Sequence, residues 1–155
     1  MTKAEVFAGT WMRHRGVLEE IVSKVKTEDL SFAPWDGALT FKDLVIHTVG
    51  SADFFVTAVK DGKTSAPAGG QPEINDAQAL QQFVKDMTAK TKATILSLEE
   101  AQFEAMVDAT VPFGTHIPGS SLLHMMRDHE IHHKGQMFTY GRMVGMETMP
   151  SFVQH

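Results

Sequence analysis

Four stretches of this chain carry apolar residues at helical spacing, and the segments between them are rich in helix-breaking residues, an alternation that leaves few folds open. In the first, Phe7, Trp11, Leu18, Ile21 and Val25 fall on one stripe of an amphipathic helix over about residues 3–26. Residues 27–39 then hold Pro34, Asp36 and Gly37, and Thr40 with Asp43 behind it predicts an N-cap. The second helix has the stripe Leu44, His47, Ser51, Phe54 and Ala58, which puts His47 in the middle of the core-facing line.

Residues 61–73 are rich in Gly, Pro, Ala and Ser and predict a linker. Asn75 and Gln78 have capping-box spacing, and a third helix follows over about residues 76–98 on Leu80, Val84, Met87, Thr91, Thr94 and Leu98. Residues 99–119 are less regular, with a short turn expected near 99–103 and extended backbone over 107–118. Ser120 or Ser121 is the expected cap of a last helix that runs to about Val144, before Gly145 and Pro150. Without a convincing set of strands the fold class is all-α, a four-helix bundle. The linker of 61–73, extended, spans about 40 Å, against about 30 Å for a twenty-residue helix, so an up-down-down-up order is permitted.

At 155 residues the chain has the length of one domain, 1–155, with an ordinary 43% of hydrophobic and 21% of charged residues. It has no cysteine, so any metal must sit on histidine and carboxylate. A net charge of -5 and a pI near 5.9 argue against nucleic acid as a partner. No apolar run approaches the roughly 18 residues of a membrane span, and residues 1–10 lack the pattern of a secretory signal, so the expected location is cytoplasmic.

The chemistry concentrates in residues 128–136, DHEIHHKGQ, which hold three of the eight histidines. His129 and His133 lie one turn apart and only about 40° apart in direction, so both imidazoles aim at a shared point. His132 is about 100° from His133 and is placed in a second shell or outside the site. Two ligands on one helix leave an ion open on one side, and His47 is the expected third, because a histidine facing a helical core costs desolvation unless something pairs with it. Three imidazoles plus open positions suit Zn, Ni, Co or Fe in the +2 state.

Plainer readings compete with this one. A lone histidine on an apolar stripe is more often a hydrogen-bonded core group, as is expected of His14 between Trp11 and Leu18. The methionines of the last helix are read as core filling. Gln136 and Tyr140, on the face of His129, either line a pocket or pack the core. His116, His124 and His155 have no evident partners in the sequence.

His129, Glu130 and His133 spell the H-E-x-x-H of zinc peptidases, in which the glutamate polarises metal-bound water. The extended form of that motif wants Gly and His where this chain has Gln136 and Thr139, and the peptidase reading is set aside. The run HEIHHKGQM, followed by Tyr140, Gly141, Arg142 and Gly145, instead resembles the DinB family, the DinB/YfiT-like superfamily of metalloenzymes. Residues 32–50, with Pro34, Thr40, Leu44, His47, Thr48 and Val49, are similar to that family's approach to its second helix. The resemblance implies an up-down-down-up bundle, homodimers, and a metal site whose three histidines match His47, His129 and His133. Relatives include thiol-dependent S-transferases and a mycothiol-dependent isomerase, in which the metal activates a thiol.

The expected function is therefore a metal-dependent enzyme in which a divalent ion on three histidines activates a thiol or water, for transfer or hydrolysis of a small-molecule substrate. No catalytic residue is assigned; Glu130 and His132 flank the ligand direction about equally as candidate bases. The alternatives are a stress-associated protein that binds metal or ligand without turnover, and a purely structural bundle. A low-molecular-weight thiol is the expected partner molecule. Ile131, Gly135 and Phe138, on the far side of the last helix, form a small apolar patch and predict a homodimer. Light scattering at micromolar concentration is expected to give the dimer mass, and a monomer mass would count against that interface.

Overall fold

The computed structural model describes residues 1–67 and 69–155; position 68, within the expected linker, lies outside the described residues. The chain is mostly helical. Four long helices, α1 (Lys3–Ser23), α2 (Phe41–Asp61), α3 (Ala77–Leu96) and α6 (Gly119–Met143), account for most of it. Between α3 and α6 come the short helix α4 (Glu100–Glu104), strand β1 (Met106–Ala109), the single turn α5 (Thr110–Phe113) and strand β2 (Thr115–Pro118). β1 and β2 pair antiparallel, Met106 opposite Pro118 and Ala109 opposite Thr115. The expected all-α chain thus has a small hairpin where only extended backbone was foreseen.

Local chemistry fixes most helix starts. Thr2 and Glu5 form a reciprocal capping box at α1, the threonine hydroxyl accepting from the Glu5 N–H and the Glu5 carboxylate from the Thr2 N–H. Thr40 caps α2 by accepting from the Asp43 N–H at 3.1 Å, and Gly62, at φ 80°, ends it. α3 is capped by Asp76 rather than Asn75, its carboxylate 2.7 Å from the Ala79 N–H. Neither Ser120 nor Ser121 caps α6, which starts at Gly119 straight out of β2. The Gly119 N–H instead bonds to the carbonyl of Ala105, and a Cβ on Gly119 would lie 2.1 Å from the Gln102 carbonyl oxygen, so the hairpin itself satisfies the helix start.

α2 packs against α3 and α6, and α1 packs against the same two helices. Because α2 is covered from two sides, its apolar arc is wide: Leu44, Val45, Thr48, Val49, Ala52, Phe55, Val56 and Val59 are all buried. His47 is exposed and Ser51 and Phe54 only half-buried, so the expected core line was drawn along the edge of that arc. On α3 the buried line likewise runs through Thr88 and Ile95, while Met87 and Thr94 are half-buried.

The core consists of two apolar clusters, one around Trp11, Val56, Leu122 and Met126, the other around Leu18, Phe41, Leu44, Leu80 and Met137. Next to both in sequence, on α1 and α6, lie Arg15 and Glu130, each 0% exposed. Arg15 grips the Glu130 carboxylate with two nitrogens, Nε to Oε2 at 2.8 Å and Nη2 to Oε1 at 2.7 Å. Trp11 Nε1 donates to Glu130 Oε1 at 3.0 Å, and Arg15 Nη1 donates to Thr88 Oγ1 at 2.9 Å, so the pair ties α1, α3 and α6 together. Among the described residues no buried side-chain nitrogen or oxygen lacks a partner.

The last residues return across α1, with the Gln154 N–H bonded to the Arg13 carbonyl at 2.9 Å and Arg13 Nε to the Gln154 carbonyl at 2.7 Å. Arg15→Leu, which leaves Glu130 buried without its cation, is expected to cost about 3–5 kcal/mol. Urea denaturation followed by circular dichroism measures it, and a loss below about 1 kcal/mol would mean that the pair is not desolvated.

Candidate metal centre

Three imidazoles meet on the seam between α2 and α6. His47 Nε2 lies 3.1 Å from His129 Nε2, which lies 3.1 Å from His133 Nε2. The rings are nearly perpendicular in every pair, at 71°, 84° and 79°, so the nitrogens converge while the ring faces do not stack. Two nitrogens bound to one ion at about 2.0–2.1 Å stand about 2.9 Å apart at a right angle and about 3.4 Å apart at a tetrahedral angle. The observed 3.1 Å falls between those limits. Among the described residues the three histidines form a group of donors that could hold a metal ion, with their ligand atoms all within 4.8 Å of one another.

The surroundings favour neutral rings with their lone pairs turned inward. His133 Nδ1 lies 2.7 Å from the Gln136 side-chain oxygen; as the donor in that bond it carries the proton and leaves Nε2 free for the cluster. Burial, then the neighbouring His133, His47 and His132, push His129 down to about 4, and burial followed by His133 lowers His47. Neutral imidazole is the form that ligates.

Around the donors the protein leaves an open side. His47 shares a recess of about 350 Å³ with Leu39, Asp43, Ile46 and Gln71, Asp43 lying one turn ahead of it on α2. On the other side the Phe55 ring stands 6.3 Å from that of His129 and stacks on Phe113 of α5 at 5.9 Å, so the hairpin contributes a wall. The i, i+4 spacing of Asp43 and His47 was a signal in the sequence that pointed to Asp43; nothing local pointed to Phe113.

Glu130 is nowhere near the role of a base at this centre. It faces the core, held by Arg15 and Trp11, because its direction on α6 is about 60–100° from those of His133 and His129. The H-E-x-x-H spelling therefore lacks the glutamate geometry that a zinc peptidase needs. His132 is exposed and outside the donor group, its ring 4.8 Å from that of His133. His14 does not approach the centre either: its Nδ1 lies 2.9 Å from Nζ of Lys134, a buried lysine that also donates to the Phe152 carbonyl. Burial and that lysine together lower His14. Of the two residues weighed for pocket or packing, Gln136 serves the site, whereas Tyr140 packs edge-on to Phe32 and Phe41 and donates to the Leu39 carbonyl at 2.9 Å. Of the α6 methionines read as core filling, Met126 and Met137 are fully buried, whereas Met125 and Met143 are exposed.

Residues 1–152 match the model of the DinB family. The chain belongs to the DinB family. It is 30% identical over 154 residues to YjoA of Bacillus subtilis, the match covering 99% of each chain. The crystal structure of the DinB-like YjoA superposes with a TM-score of 0.86 at 28% identity, over 96% of this chain and 99% of that one. A DinB-like protein of Bacillus cereus superposes at 0.78 over 95% of each chain with 20% identity, a likeness of fold alone.

In the metal-free DinB chain the lowered His129 has a definite effect on stability. Its folded value, about 4, lies below the ordinary 6.5, so the unfolded chain binds more protons between the two. The contribution is complete above pH 6.5 and is expected to fade as the pH drops toward 4. Urea midpoints of the chelated protein across that range measure it; His129→Asn is expected to flatten the acid limb, and an unchanged limb would show that His129 is not the group responsible.

Proposed function

We propose that this DinB-family chain is a metal-dependent enzyme in which His47, His129 and His133 hold one divalent ion, Zn, Ni, Co or Fe, and a small-molecule substrate is transferred to a thiol or hydrolysed. The observation that carries the reading is the convergence of three Nε2 atoms on an open seam, those of His47 and His133 each 3.1 Å from that of His129. Such an ion supplies Lewis-acid chemistry, lowering the pKa of a thiol or water toward neutrality. The chain's own groups do the rest. Gln136 keeps the His133 ring in the ligating tautomer, and Phe55 and Phe113 screen one side of the centre from water. The exposed edge of His47 leaves the approach open, and Asp43 in the same recess is a carboxylate available to take a proton.

The same proposal takes residues 1–155 as one domain and the four long helices as an up-down-down-up bundle. Hydrogen bonds between helix ends support that order. Lys60 Nζ, near the end of α2, donates to the Ser97 carbonyl just past α3 at 3.1 Å, as expected of parallel neighbours. Gln81, early in α3, donates to the carbonyl of Val22, late in α1, and Tyr140, late in α6, donates to Leu39 just before α2. No described helix is long and apolar enough to cross a membrane, in keeping with a cytoplasmic home.

A second reading, metal binding without turnover, is favoured by one observation: Glu130, the carboxylate flanked by both α6 ligands, is committed to Arg15. Untagged protein purified without added metal is expected to carry close to one divalent ion per chain by inductively coupled plasma mass spectrometry. His47→Ala, a change at an exposed position, is expected to lower that content about tenfold or more. Unchanged content would sink the site. A loaded centre that turns over no thiol-transfer or hydrolysis substrate would favour the second reading.

A further inference from the structure

The metal centre is not the largest space on this molecule. An open cleft of about 700 Å³ lies between α2 and α3, lined also by residues 65–67 and 69–72, a volume typical of small-molecule sites, which span about 300–1,000 Å³. Its walls are apolar at Ile46, Phe54, Phe83 and Met87, and Asp53 and Lys90 also line it. It shares Ile46 and Gln71 with the recess that contains His47, so the two spaces adjoin at the edge of the metal centre.

Gly50 shows that the space is not a by-product of packing. It lies in the middle of α2, nearly one turn beyond His47, and it lines the cleft. Glycine inside a helix costs about 0.5–1 kcal/mol relative to alanine, so its presence needs a reason. At three other helical glycines the reason is contact: a Cβ would lie 2.1 Å from Gln154 at Gly16, 2.1 Å from Gln102 at Gly119 and 2.8 Å from Met146 at Gly141. At Gly50 a Cβ would meet nothing within 4 Å. Gly9 and Gly135 are equally open, but both are exposed and line neither space. The missing side chain at Gly50 keeps room in the cleft beside the metal centre, and the fold itself makes no use of that room.

The polar end of the cleft presents an exposed donor. Asp53 is occupied on both oxygens, by Lys90 Nζ at 3.1 Å and by the Thr91 hydroxyl at 3.5 Å, and its side chain is 16% exposed. Lys90 is 62% exposed and has three donors, of which Asp53 takes one. The pair as a whole is neutral, and its more exposed free groups are the remaining Lys90 donors. His47 and Asp53 are six residues apart on α2, about 9 Å of helix rise.

We infer that this cleft seats the organic substrate of the metal centre: an elongated molecule with an aliphatic or aromatic body, a carboxylate or similar anionic group on Lys90, and its reacting group further back along α2, toward His47, His129 and His133. The inference rests on the proposed metal-dependent function for the last of these, whereas the cleft and its preference for an apolar-bodied anion stand on Gly50 and Lys90.

The test uses 4-phenylbutyrate as the probe, titrated into the full-length 15N-labelled protein with zinc loaded and with zinc removed. Saturable shifts are expected at the backbone amides of Gly50, Phe54, Phe83 and Lys90. Gly50→Leu, which fills the cleft, is expected to weaken binding about tenfold or more while zinc per chain is unchanged. Lys90→Met, a surface change that leaves the fold intact, is expected to weaken the carboxylate probe but not 4-phenylbutanol. Shifts confined to other residues, no saturable shift at millimolar probe, or equal affinity in folded Gly50→Leu and in Lys90→Met would overturn the cleft. If the wild type takes up no zinc but the two variants still weaken the probe, the metal reading fails and the cleft survives.

Discussion

The geometry of the three-histidine cluster depends on a salt bridge that never touches it. Arg15 and Glu130 are buried together, and the carboxylate, with partners on Arg15 and Trp11, has one rotational setting about the α6 axis. With Glu130 turned toward α1, His133 and His129 lie about 60° and 100° further round the helix, which carries both rings to the side where α2 brings His47. Burying such a pair stabilises a fold little, because desolvation offsets most of the attraction. Its effect here is on register: a slip of α6 by one residue would take the glutamate out of reach of Arg15 and put His129 or Ile131 in its place.

That division explains why the sequence was easier to read for donors than for directions. The i, i+4 pair of His129 and His133 and the helical context of both were legible, since spacing alone determines them. The structure does bring His47 to the pair, but the reason given, burial in the middle of a core stripe, does not hold, since the residue is exposed. α2 meets two other long helices, and an arc that wide has no centre which periodicity can locate. Glu130 was a candidate base because the wheel places it beside the ligands; only Arg15, 115 positions away, shows that it points inward.

The hairpin was illegible for a related reason. Four-residue strands give too short a pattern to separate from loop, and Phe113 is brought onto Phe55, which stands beside His129, by the fold of β1 and β2 rather than by any local signal. The start of α6 shows the same limit, because the group that replaces a serine cap is a backbone carbonyl at Ala105. Elements stabilised from within, such as α1 with its Thr2–Glu5 box, were placed to within a few residues. α6 was placed as closely, but not its cap, and the hairpin was not foreseen.

The spacing of the donors along the chain has a thermodynamic side. His47 and His129 are 82 positions apart, and the chain between them contains all of α3 and the hairpin. An ion shared by the two would act as a removable cross-link, closing a loop for which a covalent bridge of similar span removes about 4–5 kcal/mol of unfolded-chain entropy. The cross-link would also be graded by metal supply, because only the loaded fraction of molecules has it. Two preparations of identical sequence would then differ in unfolding temperature according to the metal they met during growth, and the lifetime of the protein in a cell would follow the availability of the ion.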